Sequence, residues 1–518
     1  MYRTLLILAG SAACFAADGG KLMLHQRSRI PLEGQIGDVR VVMRPVEWEP
    51  NRTAIIICDM WDRHWCAGAT RRVAELAPAM NEVVKAARDR GVFIIHAPSG
   101  TVGFYEDHPA RRRAKEVAKT ENLPRDIAQW CRWISDEEEQ TGYPIDHSDG
   151  GCDCEPTCKQ GSPWRRQIET IEIAETDAVS DSGPEVWSLL EARGIENVIL
   201  MGVHTNMCVL GRPFGLRNMA RYGRNVVLMR DMTDTMYNSR AKPFVSHFTG
   251  TDLVVEHVER YVCPTITSTV FTGKPAFVFK DDKRPHMVIL SAESEYKAVE
   301  TMPILARRLQ TECGFSCEVL QGSTGEDDGD LNYISGMEAL ARADVVIVFA
   351  RRRAFAADQM THLRQFLERG GGLVGLRTAS HAFDTRGKVP QGHADWLKFD
   401  PEVLGGNYHG HYGAGPATTA MCEEGAAGHP ILEGVELPFE SVASLYRTGP
   451  LEHSAQALLS GKIDGQDPEP LAWTHMYGDS RIFYTSLGHV EDFRNPAFRR
   501  MLVNAVYWVM AREPARTP

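Results

Sequence analysis

Apolar and polar positions along the chain form two separate runs of alternating strands and helices. The first run begins with TAIIICDM at 53–60, a continuous apolar segment typical of a strand buried on both faces. Apolar residues then recur at helical spacing over 73–90, before a glycine stop at Gly91. VFIIHA at 92–97 predicts the next strand, so a strand–helix–strand unit opens the first run.

The alternation continues after an irregular stretch. The pattern predicts a helix over 186–195, a strand over 197–203, a helix opened by Cys208 that ends near Gly223, and a strand over 225–231. Because strands and helices alternate, a parallel sheet with both faces covered is expected. Residues 101–170 are rich in charge, Gly, Pro and Cys, and we expect them to form an insertion or lid.

A second run follows residues 268–284, which carry no clear period and are expected to be a linker. It predicts strands over 286–292, 343–350, 373–379 and 480–489, and helices over 297–311, 358–372 and 497–510. The expected fold class is therefore α/β, with two doubly wound, mainly parallel-sheet, three-layer domains in tandem. Their predicted extents are 36–267 and 285–513.

Composition limits the classes of function. A chain of 518 residues is too long for one core, and its net charge of −11 argues against a general nucleic-acid binder. Residues 1–17 combine Arg3, an apolar stretch and small residues, which predicts a signal peptide and export to the periplasm or outside the cell. Cys14 offers a weaker lipoprotein alternative. No segment reaches membrane-span length, so no stable membrane span is expected.

Three of the twelve cysteines lie close together in GGCDCEPTCKQG. Cys152, Cys154 and Cys158, with acidic residues between them, suggest a metal loop. Their spacing matches no zinc knuckle, and no fourth ligand is evident from the sequence. A disulfide within the loop, or plain thiols, is the alternative interpretation.

The stretch GVHTNMCV at 202–209 places Cys208 in a tight turn between a strand and a helix. A thiol at the start of a helix lies at the positive end of the helix dipole, which favours the nucleophilic thiolate. Asp59 follows the strand at 53–60, and carboxyl ends of parallel strands meet at one edge of a sheet. The two side chains are therefore expected to meet, although a buried, inert thiol is the alternative for Cys208.

IIICDMWDRHW and GVHTNMCV resemble the signatures of the isochorismatase-like cysteine hydrolases, which include nicotinamidases and N-carbamoylsarcosine amidases. The resemblance implies a three-layer α/β fold and a Cys–Asp–Lys triad. It assigns the nucleophile to Cys208 and the proton shuttle to Asp59, and it implies a cis peptide near Val203–His204. Oligomerisation is common in this family, so a homo-oligomer formed through this domain is an option.

Counting back from the helix at 186–195 puts the lysine of this family at about Glu175. A glutamate cannot supply a positive charge, and three alternatives stay open. A cation from the insertion replaces the lysine; the candidates are Lys115, Lys119 and Arg166. Otherwise Asp59 and Glu175 act as paired carboxylates, or the domain has lost catalysis and only binds.

Other polar residues of the first run are expected to line the pocket: Asp62, His64, His96, His204, Thr205 and Asn206. Each has an alternative role as an ordinary turn-stabilising or hydrogen-bonded residue. Some members of the superfamily hold a metal beside the nucleophile. A divalent metal is therefore an option here, with His64, His96, Asp107 and His108 as candidate ligands, although no cofactor is firmly predicted.

Residues 285–513 resemble the ThuA-like family, whose fold is that of class I glutamine amidotransferases. The matching segments include GGGLVGLRTASHAF, LGGNYHGHYG and PLAWTHMYGDSRIFYTSLGH. The glutaminase nucleophile would lie in the turn after LVGL, where this chain has Arg377, Thr378, Ala379 and Ser380, so glutaminase chemistry is not expected.

Polar and aromatic residues of the second run suit a carbohydrate pocket: His381, His409, His411, Tyr446, Trp473, His475 and His489. His409 and His411 alternate along an extended segment and are expected to share a face, where they could bind metal together. The alternative is that these histidines satisfy hydrogen bonds around glycine turns.

Two hypotheses of different classes follow. In the first, the protein is an exported cysteine hydrolase of a small amide or related C–N bond, fused to a domain that binds or processes carbohydrate. In the second, it is a non-catalytic carbohydrate-binding or scaffold protein built from two decayed enzyme folds. The intact Asp59 and Cys208 positions favour the first, and Glu175 favours the second.

Overall fold

The structure is a computed structural model that describes residues 20–32, 39–323, 330–387, 389–413 and 416–513. The predicted signal peptide over 1–17 and Cys14 lie outside the described residues. Two sheets of eight and nine strands form the centres of two domains. Over the described ranges, no helix is long and apolar enough to cross a membrane.

The first domain contains eight strands and seven helices within the described residues. In chain order they are β1 Leu22–Pro31, β2 Val39–Trp48, β3 Thr53–Cys58, α1 Ala67–Asp89, β4 Phe93–Ala97, α2 Pro109–Glu116, α3 Asp136–Thr141, β5 Ala178–Val179, α4 Gly183–Ala192, β6 Asn197–Val203, α5 Leu216–Arg221, β7 Asn225–Asp234, α6 His247–Tyr261, β8 Thr265–Ile266 and α7 Thr269–Thr272. The strand order is β2-β1-β8-β7-β6-β3-β4-β5. The strands β3 to β8 run parallel, and β1 and β2 are antiparallel additions at one edge.

The second domain is also a mixed sheet covered by helices. Its elements are β9 His286–Ala292, α8 Ala298–Cys313, β10 Ser316–Gln321, β11 Val345–Ala350, β12 Phe355–Ala356, α9 Ala357–Glu368, β13 Gly372–Leu376, β14 His393–Ala394, β15 Thr418–Cys422, β16 Phe439–Ser441, β17 Gln456–Lys462, β18 Glu469–Tyr477, β19 Ser480–Thr485 and α10 Pro496–Val509. The sheet order is β10-β9-β11-β13-β19-β18-β17-β15-β16. The first five strands are parallel and the last four antiparallel, which confirms the predicted fold class of two α/β domains in tandem.

Successive residues of the apolar strands supply two different cores, as a strand with both faces covered requires. In β3, Ala54 and Ile56 pack into the core on one face, whereas Ile55 and Ile57 pack into the core on the other. The same division holds in β9 of the second domain. Continuous apolar runs therefore became central strands, with helices on both sides.

The domain bounds differ from those predicted. The first sheet already includes β1, which begins at Leu22, before the predicted start at residue 36. The predicted linker contributes Phe271 and Phe279, both buried in the core of the first domain, so part of it is a covering segment rather than a free connection. The β1–β2 hairpin also joins the two domains, because Val41 packs into a core of the second domain.

Candidate active site

The carboxyl ends of β3 and β6 form the centre of the candidate site. These strands are parallel neighbours, with Cys58 paired with Gly202, so the residues that follow them emerge at the same edge. Gly202 has a φ of +112°, and a Cβ there would lie 2.1 Å from the carbonyl oxygen of Cys58. Only glycine permits this close approach. The next peptide, Val203–His204, is cis, as the resemblance implied.

Asp59 follows β3 and is completely buried, with a φ of +49°. Its Oδ1 accepts a hydrogen bond of 2.7 Å from the Ser99 backbone N–H. Its Oδ2 lies 3.3 Å from two guanidinium nitrogens of Arg212. Burial raises the pKa of Asp59, while Arg212 and the Ser99 hydrogen bond oppose that shift. The carboxyl group is therefore placed to take up a proton.

Cys208 lies in the helical turn Thr205–Val209 and is half-buried. Its thiol lies beside the Asp59 carboxyl group, so the structure brings together the two residues predicted to meet. Burial, followed by the charge of Asp59, raises the pKa of Cys208, and Arg212 opposes this shift. The thiol is thus neutral beside a carboxylate.

This protonation state differs from the thiolate expected from the helix dipole. The predicted helix from Cys208 to Gly223 is interrupted, because the turn Thr205–Val209 ends before the six-residue helix α5 begins at Leu216. A short turn provides only a small dipole. Burial and the neighbouring carboxylate therefore decide the protonation state of the thiol.

Arg212 belongs to the candidate site, although the motifs in the sequence did not point to it. It lies four residues after Cys208, and its backbone N–H donates to the Cys208 carbonyl oxygen at 3.1 Å. This single turn directs the guanidinium back to Asp59. Its charge is further held over the ring of Trp130, 5.4 Å from the ring centroid. The sequence did contain a signal, since Arg212 lies four positions after Cys208 and side chains at that spacing share a helix face.

The structure does not bring Glu175 to this site. Glu175 is exposed and precedes β5, whereas the site lies at the carboxyl ends of the parallel strands. Ser180 and Asp181 follow β5 at that edge, so counting back along the sequence placed the position too early. The cations proposed from the insertion lie elsewhere as well. Lys115 pairs with Glu106, Arg166 pairs with Glu169, and Lys119 is exposed.

Two predicted pocket histidines lie side by side near Cys208. The rings of His64 and His204 meet edge to face, with centroids 4.9 Å apart. Burial lowers the pKa of His64 to about 4 and holds that of His204 well below its usual value. Both imidazoles are therefore neutral. His204 Nε2 is buried without a hydrogen-bond partner among the described residues, so it is available to a ligand.

Aromatic rings extend this wall away from the histidines. The ring of Trp164, from the predicted insertion, stacks on that of Trp61 with centroids 4.4 Å apart and on that of His64 at 5.8 Å. The indole N–H of Trp61 donates to the Ser99 carbonyl oxygen. The insertion therefore covers the segment that follows β3, as expected of a lid.

Four other predicted pocket residues make structural contacts. Asn206 exchanges two hydrogen bonds of 3.0 Å with the backbone of Met236, and Thr205 Oγ1 donates to the Asp234 carbonyl oxygen. His96 is fully buried, and both its ring nitrogens are hydrogen-bonded. Asp62 accepts from the backbone N–H of Arg165. These residues hold the loops of the site in position.

The metal ligands considered beside the nucleophile do not converge. His108 caps the start of α2 through Nδ1, Asp107 is exposed, and His96 is occupied by its two hydrogen bonds. Among the described residues, one group of three possible metal ligands is brought within 4.8 Å of one another. That group is Cys66, Cys152 and Cys154, and none of the candidate ligands beside the nucleophile belongs to it.

A second cluster lies at the carboxyl ends of the parallel strands of the second sheet. Arg377 follows β13, is 1% exposed, and lies over the rings of Tyr296 and Tyr446 at 4.1 and 4.4 Å. His381 stacks on Tyr408 with centroids 4.6 Å apart. Burial and several arginines, including Arg352, lower the pKa of His381 to about 3, so the ring is neutral.

The structure divides the remaining predicted carbohydrate residues into rim and core. His409 and His411 are exposed, and Nδ1 of each contacts a nearby backbone carbonyl oxygen. His489 is half-buried near Tyr296. Trp473 is completely buried, with its N–H donated to the Leu404 carbonyl oxygen, and His475 contacts Ser454 and Glu402. Trp473 and His475 therefore support the core and are not a sugar-stacking surface.

Comparison with protein families agrees with the two-domain division. Residues 53–244 match the model described as isochorismatase domain, and residues 307–509 match the model described as ThuA, trehalose utilisation. A comparison with curated proteins gives no significant match.

Solved structures resemble one domain or the other. A putative ThuA-like protein from Bacteroides uniformis is 18% identical and covers 46% of this chain and 95% of its own, with a TM-score of 0.35. A cysteine hydrolase from Pseudomonas syringae pv. phaseolicola is 16% identical and covers 45% of this chain and 98% of its own, with a TM-score of 0.28. An isochorismatase family protein from Burkholderia thailandensis is 13% identical, with coverages of 43% and 95% and a TM-score of 0.25.

The family matches, on the fold and site described above, identify the chain as a tandem of an isochorismatase domain over residues 53–244 and a ThuA domain over residues 307–509.

Proposed function

We propose that the first domain is a cysteine hydrolase that cleaves a small amide or a related C–N bond. The observation that carries this proposal is the contact of the Cys208 thiol with Asp59, whose other contacts are Ser99 and Arg212. A nucleophile, a proton acceptor and a fixed positive charge thus occupy one edge of the sheet. That combination is what acyl transfer through a covalent intermediate requires.

The reaction begins from the neutral thiol. Asp59 takes the proton of Cys208 as the sulfur attacks the carbonyl carbon, and the S–C bond forms. The proton then passes from Asp59 to the departing nitrogen as the C–N bond breaks. Asp59 next deprotonates a water molecule, and the resulting hydroxide attacks the thioester and breaks the S–C bond. Asp59 then passes this proton to the departing sulfur, which restores the thiol. Asp59 begins and ends as the carboxylate.

Arg212 takes the electrostatic part that the resemblance assigns to a lysine. A guanidinium stays protonated at all working pH values, so Arg212 stabilises charge and does not transfer protons. It keeps Asp59 ionised before the attack, because it lowers the pKa that burial raises. As the proton moves to Asp59, the same cation lies beside Cys208 and stabilises the negative charge that develops during the attack. The positive charge is thus available in both states.

The test is a screen of small amides with the full chain and its Cys208→Ala variant. We expect kcat to fall by at least about 10³-fold, because the covalent route is lost. In wild type, intact-mass spectrometry after acid quenching should show an acyl group on Cys208. The matched control is Cys131→Ala, which removes another buried thiol and should retain activity. Hydrolysis that is equal in wild type and Cys208→Ala would refute the proposal.

For the second domain we propose carbohydrate binding at the carboxyl edge of its sheet. The aromatic cluster of Tyr408, Tyr446 and His381 supports this, because aromatic faces beside imidazole groups suit sugar rings. Calorimetric titration with disaccharides, starting with trehalose from the description of the matching family model, tests it. Tyr408→Ala should weaken binding, whereas Trp473→Phe should not. No heat of binding across a disaccharide and oxidised-sugar panel would refute it.

A further inference from the structure

A cysteine at the start of α1 meets three cysteines of the loop over residues 152–158, which comes much later in the chain. Cys66 is the residue immediately before α1, and Cys152, Cys154 and Cys158 lie on the loop. All four are free thiols. We call them the cysteine cluster. Cys66 therefore adds a fourth possible sulfur ligand, which the sequence of the loop does not contain.

The spacing of three of these sulfurs fits one central metal ion. The Sγ atoms of Cys66 and Cys154 lie 3.8 Å apart, and those of Cys66, Cys152 and Cys154 are mutually within 4.8 Å. Tetrahedral zinc with Zn–S bonds of about 2.3 Å requires sulfur–sulfur distances of about 3.8 Å. A disulfide would instead need about 2.05 Å. Cys158 lies at the edge of this group, beside the thiols of Cys152 and Cys154, as the nearest candidate for a fourth ligand.

Backbone N–H groups point at the sulfurs. The N–H of Gly68 donates to Cys154 Sγ at 3.2 Å, and that of Ala67 donates to Cys158 Sγ at 3.5 Å. Donors of this kind stabilise thiolates, which are the form that binds metal, and they orient them towards the ion.

We propose that the cysteine cluster is a structural, four-thiolate zinc site that fastens the 152–158 loop to the start of α1. Four thiolates leave no open coordination position, which is the character of a structural rather than a catalytic zinc site. The site is separate from the Cys208–Asp59 pair, and it does not rest on the hydrolase proposal.

The surroundings of the cluster limit its negative charge. Asp153 lies between two of the cysteines, with Oδ1 3.6 Å from Cys66 Sγ. Arg72 meets this carboxylate at 2.7 Å and also binds the buried Asp234 at 2.8 Å. Arg240 donates to the Cys154 carbonyl oxygen at 3.2 Å. The excess charge of a zinc tetrathiolate therefore has two arginines nearby.

The loop is also fitted closely against the first domain. Gly151, directly before the cluster, has a φ of +71°, and a Cβ there would lie 2.3 Å from the Met236 carbonyl oxygen. The same loop continues to Trp164, which stacks on Trp61 beside the candidate active site. Zinc would thus keep the lid in place at one end, while the tryptophan pair keeps it at the other.

The first experiment measures metal in the full-length protein purified without chelators. Elemental analysis should give one zinc per chain in wild type. Cys152→Ser should lose it and Cys263→Ala, which also alters a buried thiol of this domain, should retain it. Protein produced with cobalt should show the intense visible absorption of tetrahedral cobalt thiolate. Wild type with no bound zinc and no cobalt absorption would overturn the proposal.

A second measurement uses wild type alone, so that it stands even where a variant fails to fold. Alkylation mapped by mass spectrometry should spare the four cluster cysteines until a mercurial reagent releases the zinc, whereas the exposed Cys422 should react at once. Zinc release should also lower the midpoint of thermal unfolding. Disulfides among the four residues in the native protein, or free alkylation of all four, would overturn the proposal. Neither result would bear on hydrolysis by Cys208.

Discussion

The two sheets present their carboxyl ends in the same way but with different chemistry. The edge of the first sheet holds a thiol, a buried carboxylate and a cation in contact: Cys208, Asp59 and Arg212. The edge of the second sheet holds a cation whose two terminal nitrogens already donate to protein groups. Arg377 donates to the Ser486 carbonyl oxygen, to the Tyr296 hydroxyl and to Ser444, and it lies between two tyrosine rings.

The same position on the fold therefore does not decide what a site can do. In the first edge, Arg212 contacts groups that can exchange a proton, so its charge can assist bond making and breaking. In the second edge, Arg377 contacts neutral hydroxyl, carbonyl and aromatic groups, so its charge organises a surface. We infer chemistry at the first edge and binding at the second, and each of the following changes tests that division.

The largest effect is expected for Asp59→Asn. An amide cannot accept the thiol proton, so kcat/KM for amide hydrolysis should fall by about 10³-fold. The loss should come with little change in KM, because the attack rather than binding is impaired. His381→Gln, at the matching edge of the second sheet, is the control and should leave hydrolysis unchanged. Equal losses in the two variants would remove the distinction between the edges.

Arg212→Gln should have the next largest effect, a fall in kcat of about 10²-fold, because a preorganised charge near the reacting atoms is lost. Arg212→Lys should recover part of it, since the charge returns without the two-nitrogen contact. The same substitution should change the pH dependence of kcat/KM, because Arg212 lowers the pKa of Asp59. A fall in activity without a change in the pH profile would indicate a purely structural role.

Arg377→Met should destabilise the protein without changing turnover per folded molecule. The variant leaves several buried acceptors without a donor, so we expect a loss of about 2–3 kcal/mol in the free energy of unfolding. Urea denaturation followed by tryptophan fluorescence measures it. His409→Ala, at the exposed rim, should stay within about 0.5 kcal/mol of wild type. A large loss of hydrolysis in Arg377→Met would contradict the division of roles.

The smallest effect concerns acid stability and His381. Its folded pKa of about 3 lies below the ordinary value of 6.5, so below 6.5 the unfolded chain binds a proton that the folded one does not. The contribution of the neutral ring is complete above 6.5 and is lost as the pH falls towards about 3. Near pH 5 the loss is about 2 kcal/mol.

His381→Gln lacks this proton, so its stability should fall less steeply between neutral pH and pH 5 than that of wild type. Denaturation curves at several pH values measure the difference. Asp59→Asn is the comparison at the first edge, because a carboxyl group whose pKa is raised does not add to acid loss. Parallel pH curves for wild type and His381→Gln would show that the ring is not held neutral.

Most of the fold was predictable because its central strands are long apolar runs. The predicted strand over 53–60 corresponds to β3 at Thr53–Cys58, and the predicted strand over 197–203 has the observed bounds of β6. The β1–β2 hairpin was missed because its residues are mostly half-buried and mixed in polarity. The formation of an edge hairpin depends on the strands that it pairs with, and a local sequence pattern carries no information about those strands.

The candidate site was predictable only in part, for a related reason. Asp59 and Cys208 were found because each directly follows a recognisable strand. Glu175 was predicted at the site by counting along the sequence, but it precedes the two-residue strand β5, and the site lies beyond the other end of that strand. Counting residues along a loop does not show at which end of so short a strand a residue lies. The sequence predicts that Trp473 lines a carbohydrate pocket, whereas β18 directs its side chain into the core. Successive side chains of a strand point to opposite faces of the sheet, but the sequence pattern does not show which face lines a pocket.

Periodicity and short motifs in the sequence are enough to predict the two α/β domains, their order and the positions of the candidate nucleophile and carboxylate. Only packing in the folded chain places the charge of Arg212 beside Asp59 and brings Cys66 to Cys152 and Cys154, which lie more than eighty residues away. Both sites are formed by side-chain contacts between parts of the chain that are far apart in sequence. The distances between their side chains depend on how strands and loops pack, and no local pattern in the chain encodes them.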